Sequence, residues 1–114
     1  MEKYKDLLVW QKSRELVKDV YSLTAKLPES EKYNLKDQIQ RAVVSVFANI
    51  SEGAGRTTKK DFGRFLDIAN GSLYETEALL IIANDLDFIA ENDPIMDNID
   101  HLQKMIFKLK KSFD

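Results

Sequence analysis

Two glutamates stand where their side chains could carry chemistry. Glu52 lies in the glycine-containing stretch 49–55, and Glu75 lies in a similar small, polar stretch at 71–75. Paired carboxylates serve as general acid and base in much hydrolytic chemistry. In helical bundles they also hold metal pairs, but those sites use Glu-x-x-His pairs. Here the residue three positions before the single histidine, His101, is Asn98 and not a glutamate. The sequence therefore predicts no catalytic residue, no metal site and no cofactor.

The alternative for these side chains is a buried polar cluster that fixes the register of two helices. Asn49, Ser72 and Glu75 would form it, with Arg41, two turns before Asn49, as a charge partner for Glu75. Every polar group in such a cluster needs a partner, because an orphaned one costs about 1–3 kcal/mol. We expect this structural role rather than a catalytic one.

One dense basic cluster consists of Arg56, Lys59, Lys60 and Arg64. Positive charge at a helix N-terminus opposes the helix dipole, so helix stability alone does not call for it there. Contact with phosphate groups would explain the placement, and an ordinary solvated helix end is the alternative. Aromatic residues do not alternate with these charges as they do in base-stacking sites.

The basic cluster surrounds a predicted turn between two helices. Glycine tolerates positive φ, so Gly53 or Gly55 is expected just past a helix end. Thr58 followed by Asp61 resembles a capping box for the next helix. The glycines could instead cradle a phosphate, but the full phosphate-loop pattern is missing. The sequence therefore favours a plain helical hairpin.

The composition is that of one ordinary globular domain. The chain has 114 residues, 44% of them hydrophobic and 32% charged, with a formal net charge of -2. Any nucleic-acid affinity must therefore come from a local patch. There are no cysteines, which excludes disulfides and thiol catalysis. Apolar runs stay well short of the about 18 residues that span a bilayer, and we expect a cytoplasmic protein without a signal peptide.

Apolar residues recur at intervals of three and four throughout, which is typical of amphipathic helices. The spacing predicts helices from about 6 to 26, from 32–35 to about 53, from about 59 to 87, and from 93 onward, with Asp93 as N-cap. Short connections between four such helices predict an all-α, up-down-up-down antiparallel bundle as a single domain over residues 1–114.

The third helix carries apolar residues over a wide arc, in two adjacent lines. The second line contains Phe65, Ile68, Leu79, Ile82 and Leu86. One bundle cannot cover both lines, so we expect a homo-oligomer. Gly71 lies mid-helix, where glycine costs about 1 kcal/mol relative to alanine, and a close helix crossing there would explain it.

Several of these motifs resemble a known family. They include Leu8-Val9-Trp10-Gln11-Lys12, Arg41-Ala42-Val43-Val44-Ser45, Asn49-Ile50-Ser51-Glu52-Gly53 and Gly71-Ser72 with Glu75. Together they are similar to the bacterial four-helix-bundle proteins encoded in intervening sequences of large-subunit ribosomal RNA genes. The accessory variability protein of diversity-generating retroelements is also similar.

The resemblance implies a ring-like homopentamer without catalytic residues. In the retroelement relatives it also implies an adaptor that binds a reverse transcriptase and RNA or DNA through a basic surface. Two functional hypotheses follow. The first is a non-enzymatic oligomeric binding module that contacts nucleic acid, or a nucleic-acid enzyme, through the basic cluster. The second is a purely structural assembly protein without nucleic-acid affinity.

Overall fold

Four long helices account for most of the chain, as the apolar spacing predicts. A computed structural model describes residues 4–114. Its helices are α1 (Leu8–Thr24), α2 (Leu35–Ala54), α3 (Lys59–Asp85) and α4 (Asp93–Lys111), with short 3₁₀ turns at Tyr4–Asp6 and Glu29–Glu31. No strand occurs within that part of the chain. Residues 1–3 of the predicted domain lie outside it.

The helices form an antiparallel bundle with extents of 43 × 23 × 20 Å. The main packing partners are α1 with α2, α2 with α3, α3 with α4, and α4 with α1. Ser45 of α2 meets Ser72 of α3, and Gly53 meets Phe65. The numbering therefore rises along α2 as it falls along α3. The predicted up-down-up-down fold is confirmed.

The core consists of the predicted stripes of all four helices. Its largest fully buried apolar side chains are Val20, Ile39, Val43, Val46, Ile50, Leu66, Leu73, Ile99 and Leu102. The β-branched residues Val43 and Val46 favour strands when considered alone. They are helical here because they fall on the buried side of α2, and burial of a periodic apolar face outweighs local propensity.

Trp10 joins α1 to α2 through both its ring and its polar atom. The indole Nε1 donates to Ser51 Oγ at 2.8 Å, and the ring lies 5.3 Å from that of Phe47, centroid to centroid. Buried indoles usually find an acceptor for this N–H. Trp10 therefore forms a contact between two helices.

The predictions about helix ends are right in part. Gly55 is the first residue past α2, as expected for one of the two glycines, but its φ is -84°, so the turn uses no left-handed glycine. Gly53 lies inside α2. The N-cap of α4 is Asn92, whose Oδ1 accepts from Ile95 N at 3.1 Å, and not Asp93. The N-cap of α3 is Thr58 as expected, with Oγ1 accepting from Asp61 N at 3.1 Å.

The close crossing between helices occurs at Gly53 and not at Gly71. A Cβ on Gly53 would lie 2.6 Å from Phe65 Cβ, whereas a Cβ on Gly71 would meet nothing within 4 Å. The expectation that Gly71 marks a crossing within the bundle is therefore wrong. Gly53 lets the end of α2 approach the start of α3 where the basic cluster lies.

Candidate nucleic-acid interface

The turn between α2 and α3 holds the four predicted basic residues on one end of the bundle. Arg56 follows the C-cap of α2, while Lys59, Lys60 and Arg64 occupy the first two turns of α3. All four are exposed. Thr58 fixes the start of α3 by its cap, so the positions of these side chains are set by a defined helix end and not by a loose loop.

The two arginines share one buried ring. The guanidinium carbons of Arg56 and Arg64 lie 4.8 Å and 4.6 Å from the centroid of Phe65. Arg56 also pairs with Glu52, with Nη2 at 3.0 Å from Oε1. Cation–π contact of this kind orients a guanidinium without consuming its hydrogen-bond donors. Arg64 therefore presents its donors outward from a fixed position.

Lys59 and Lys60 make no ion pair with any other described residue. Asp61 is half-buried beside them, and its backbone N–H is the group that Thr58 caps. The two ammonium groups therefore remain in solvent, where phosphate oxygens could reach them.

The C-terminal turn of α4 brings further lysines to the same end. Lys110 Nζ lies 2.7 Å from Asp67 Oδ1 of α3, and the rings of Phe62 and Phe113 are 5.2 Å apart. Lys108 and Lys111 are exposed nearby on α4. The basic cluster predicted from the sequence does not include these lysines. The antiparallel order of the helices was the signal that could have placed them there.

Charge is segregated between the two ends of the bundle. The half built from residues 4–15, 46–72 and 103–114 carries eleven Lys and Arg against six Asp and Glu. The other half, residues 16–45 and 73–102, carries five against twelve. A net charge of -2 therefore hides a basic end and an acidic end.

The predicted polar cluster forms only in part. Ser72 Oγ bonds to Ser45 Oγ at 2.9 Å, and Asn49 Nδ2 donates to Ser45 Oγ at 3.1 Å. Glu75 is exposed and takes no part. Arg41 pairs with Asp37 one turn earlier, Nε to Oδ2 at 3.0 Å, so the predicted Arg41–Glu75 pair is wrong. Ser45 is the member that sequence reasoning missed.

The carboxylates first considered for chemistry are not brought together with a base or a metal ligand. Glu52 pairs with Arg56, and both Glu75 and His101 are exposed. Within residues 4–114, no group of three or more His, Cys, Asp or Glu side chains could hold a metal ion. Across the same residues, no helix is both long and apolar enough to cross a bilayer.

The fold and the segregated charge define an all-α, four-helix bundle with a basic end. The model of the 23S rRNA-intervening sequence protein family matches residues 5–108. The chain therefore belongs to that family, and the resemblance seen in its motifs is confirmed.

A solved structure supports the same assignment. It is a protein of unknown function from the S23 ribosomal protein family of Bacteroides thetaiotaomicron VPI-5482. It is 26% identical, has a TM-score of 0.83, and the match covers 91% of this chain and 99% of that one. No curated protein sequence matches this chain.

Proposed function

We propose that this protein is a non-enzymatic, homo-oligomeric binding module of the cytoplasm that contacts the phosphates of RNA or DNA through its basic end. The observation that supports this is the segregation of charge, which concentrates Lys and Arg from α1, α3, α4 and the α2–α3 turn at one end of the bundle. Phosphate neutralisation by such side chains supplies most of non-specific nucleic-acid affinity. The acidic end would be repelled, so binding would be confined to one end.

The residues proposed to make the contacts are Arg56, Lys59, Lys60 and Arg64, joined by Lys108 and Lys111 of α4. Contacts from exposed lysines would go to phosphate oxygens and would be largely independent of sequence. Arg64, oriented by Phe65, is the member best placed to make a directed bidentate contact.

Self-association is proposed from the outer face of α3. The second apolar line is only partly covered: Phe65 is buried, while Ile68, Ile82 and Leu86 are 44%, 47% and 55% exposed. Ile82 and Leu86 lie one turn apart at the end of α3, and a contiguous exposed apolar patch often marks an interface. The family resemblance supplies the number, a ring-like homopentamer. In a ring the basic ends would repeat around one rim, and linked weak contacts would add avidity.

A reverse transcriptase or another nucleic-acid enzyme would be a second partner of the same rim, as the resemblance to retroelement adaptors suggests. The shared nucleic acid would bring the two proteins together.

The test is a salt titration of binding to a single-stranded RNA and a duplex DNA, comparing the parent with Lys59→Glu/Lys60→Glu. We expect the parent to bind at ~50 mM salt with an affinity that falls steeply with salt, and the variant to bind at least ~10-fold more weakly with a shallower slope. Lys18→Glu/Lys26→Glu makes the same charge change on exposed residues of the other half of the bundle. It should bind like the parent.

Two results would decide against the proposal. One is a parent that binds neither nucleic acid at low salt, and the other is equal weakening by both double variants. Either would leave the alternative, a purely structural homo-oligomeric assembly protein, for which the exposed apolar face of α3 is the supporting observation.

A further inference from the structure

A cavity of about 190 Å³ opens at the acidic end, between α1, the end of α3 and the start of α4. Its apolar lining comes from Leu23, Leu80, Ile81, Ile89, Ile95 and Met96. An apolar cavity of about 150 Å³ is large enough to hold a benzene molecule. The volume and the lining therefore suit one aromatic side chain.

The surroundings of this cavity are acidic. Glu91 lines it directly, and Asp85, Asp93 and Asp97 each adjoin a lining residue in the chain. The whole stretch 65–103 contains nine Asp and Glu and no Lys or Arg. A side chain that enters the cavity would therefore be favoured if cationic groups flank it.

The chain carries a side chain of that description at its basic end. Phe107 of α4 is 67% exposed, and Lys111 Nζ lies 5.8 Å from its ring centroid. Lys104 and Lys108 are within one turn of it on the same helix. Packing within one bundle does not account for a phenylalanine at this position, because its exposed ring covers little of the core.

Phe107 cannot reach the cavity of its own chain. It lies eleven residues beyond the cavity residue Met96 on the same helix, which corresponds to about 16 Å at 1.5 Å per residue. Only a second copy can supply it.

We propose that Phe107 of one copy enters the apolar cavity of a second copy, with Lys108 and Lys111 facing Glu91 and Asp93. The contact is heterologous, basic end to acidic end, and so it propagates or closes head to tail. It uses a surface different from the apolar face of α3. Lys108 and Lys111 are also proposed to contact phosphates, so nucleic acid and the second copy would compete for these two lysines. The contact itself does not require nucleic-acid binding. Between rings it would act as a stacking contact.

The absence of cysteine from the chain allows a direct test by disulfide trapping. Lys104→Cys protein, which keeps Phe107 and carries the thiol one turn away on α4, is mixed with size-tagged Ala90→Cys protein, Ala90 being an exposed residue of the cavity lining. A disulfide requires the two Cα atoms to come within about 7 Å. We expect the mixed disulfide to exceed both homodimers several-fold at ~50 mM salt, and this excess to decline at ~500 mM as the charges are screened.

Tyr33→Cys is the matched control. Tyr33 is 86% exposed and has Lys32 Nζ 5.3 Å from its ring centroid, but it lies between α1 and α2 at the acidic end. It should cross-link to Ala90→Cys no more than the homodimer background. Equal yields from Tyr33→Cys and Lys104→Cys would overturn the proposal.

A second measurement avoids engineered cysteines. At low salt, the apparent molar mass from light scattering should rise with protein concentration. Phe107→Ala should need a ~10-fold or more higher protein concentration for the same rise, and Tyr33→Ala should behave like the parent. An oligomer held by the apolar face of α3 would persist at ~500 mM salt in all three proteins, which separates the two contacts. Growth in Phe107→Ala equal to that of the parent would contradict the head-to-tail contact even if nucleic-acid binding is confirmed.

Discussion

Two junctions reverse the direction of the chain at the ends of α3, one between α2 and α3 and the other between α3 and α4. They differ in how closely the helices pack. At the first, Gly53 removes a side chain so that α2 lies against Phe62 and Phe65. At the second, the chain runs through Leu86–Asn92 and leaves a cavity of about 190 Å³. The first junction is closed and basic, and the second is open and acidic.

The difference shows how one helix can serve two surfaces. α3 is held tightly where it begins, so the side chains of its first turns are fixed in direction. Where it ends, Asp87 takes a left-handed conformation with φ 61°, and the backbone bonds Phe88 N to Ala83 O and Asp87 N to Asn84 O close a Schellman motif. A rigid surface suits directed contacts, and an open one suits insertion of a side chain.

The largest effect is expected at the closed junction. In Gly53→Ala the new Cβ would lie 2.6 Å from Phe65 Cβ and 3.0 Å from Phe62 Cδ1. Two helices must then move apart, and overpacking of this kind costs about 1–3 kcal/mol. That exceeds the gain of about 1 kcal/mol in helix propensity. Urea denaturation should therefore show a net loss of stability, up to about 2 kcal/mol.

Gly71→Ala is the matched control, because it makes the same chemical change in a helix where the Cβ meets nothing within 4 Å. It should raise the free energy of unfolding by about 0.5–1 kcal/mol through propensity alone. If both variants gained stability, the junction at Gly53 would not be tightly packed, and the contrast between the two junctions would fail.

A smaller effect of opposite sign is expected at the open junction. Left-handed backbone costs an L-residue about 1–2 kcal/mol, less for Asp than for most. Asp87→Gly should therefore raise the free energy of unfolding by up to about 1 kcal/mol. Asp87→Asn removes the charge but keeps the side chain, so it separates backbone strain from charge repulsion. A gain in Asp87→Asn equal to that in Asp87→Gly would assign the effect to charge.

Most of the fold could be predicted because apolar spacing and caps are local properties. The choice between the two glycines was also available in the sequence. Gly53 continues the buried line of Val46 and Ile50 at intervals of four and three, whereas Gly71 lies off the line of Ala69 and Leu73. A glycine on a buried line indicates a close approach, and one off that line does not.

The candidate site was less predictable because it depends on how the helices are rotated and ordered. Lys108 and Lys111 join the basic end only through the antiparallel order of α4. The predicted Arg41–Glu75 pair failed for a local reason. Asp37 stands four residues before Arg41, the spacing of a helical ion pair, and a partner on the same helix needs no particular rotation of α3.

The smallest effect is expected at Glu75, beside the closed α2–α3 contact but not part of it. Because its side chain is exposed, Glu75→Ala should change the free energy of unfolding by no more than about 0.5 kcal/mol. Ser72→Ala, three residues away, loses the 2.9 Å bond to Ser45 and should cost about 0.5–1.5 kcal/mol. Both are measured by urea denaturation over a range of protein concentrations. Glu75→Ala could instead lose more unfolding free energy than Ser72→Ala, by an amount that grows with protein concentration. That result would show that Glu75 is buried between subunits. The carboxylate would then belong to the oligomer interface on the outer face of α3.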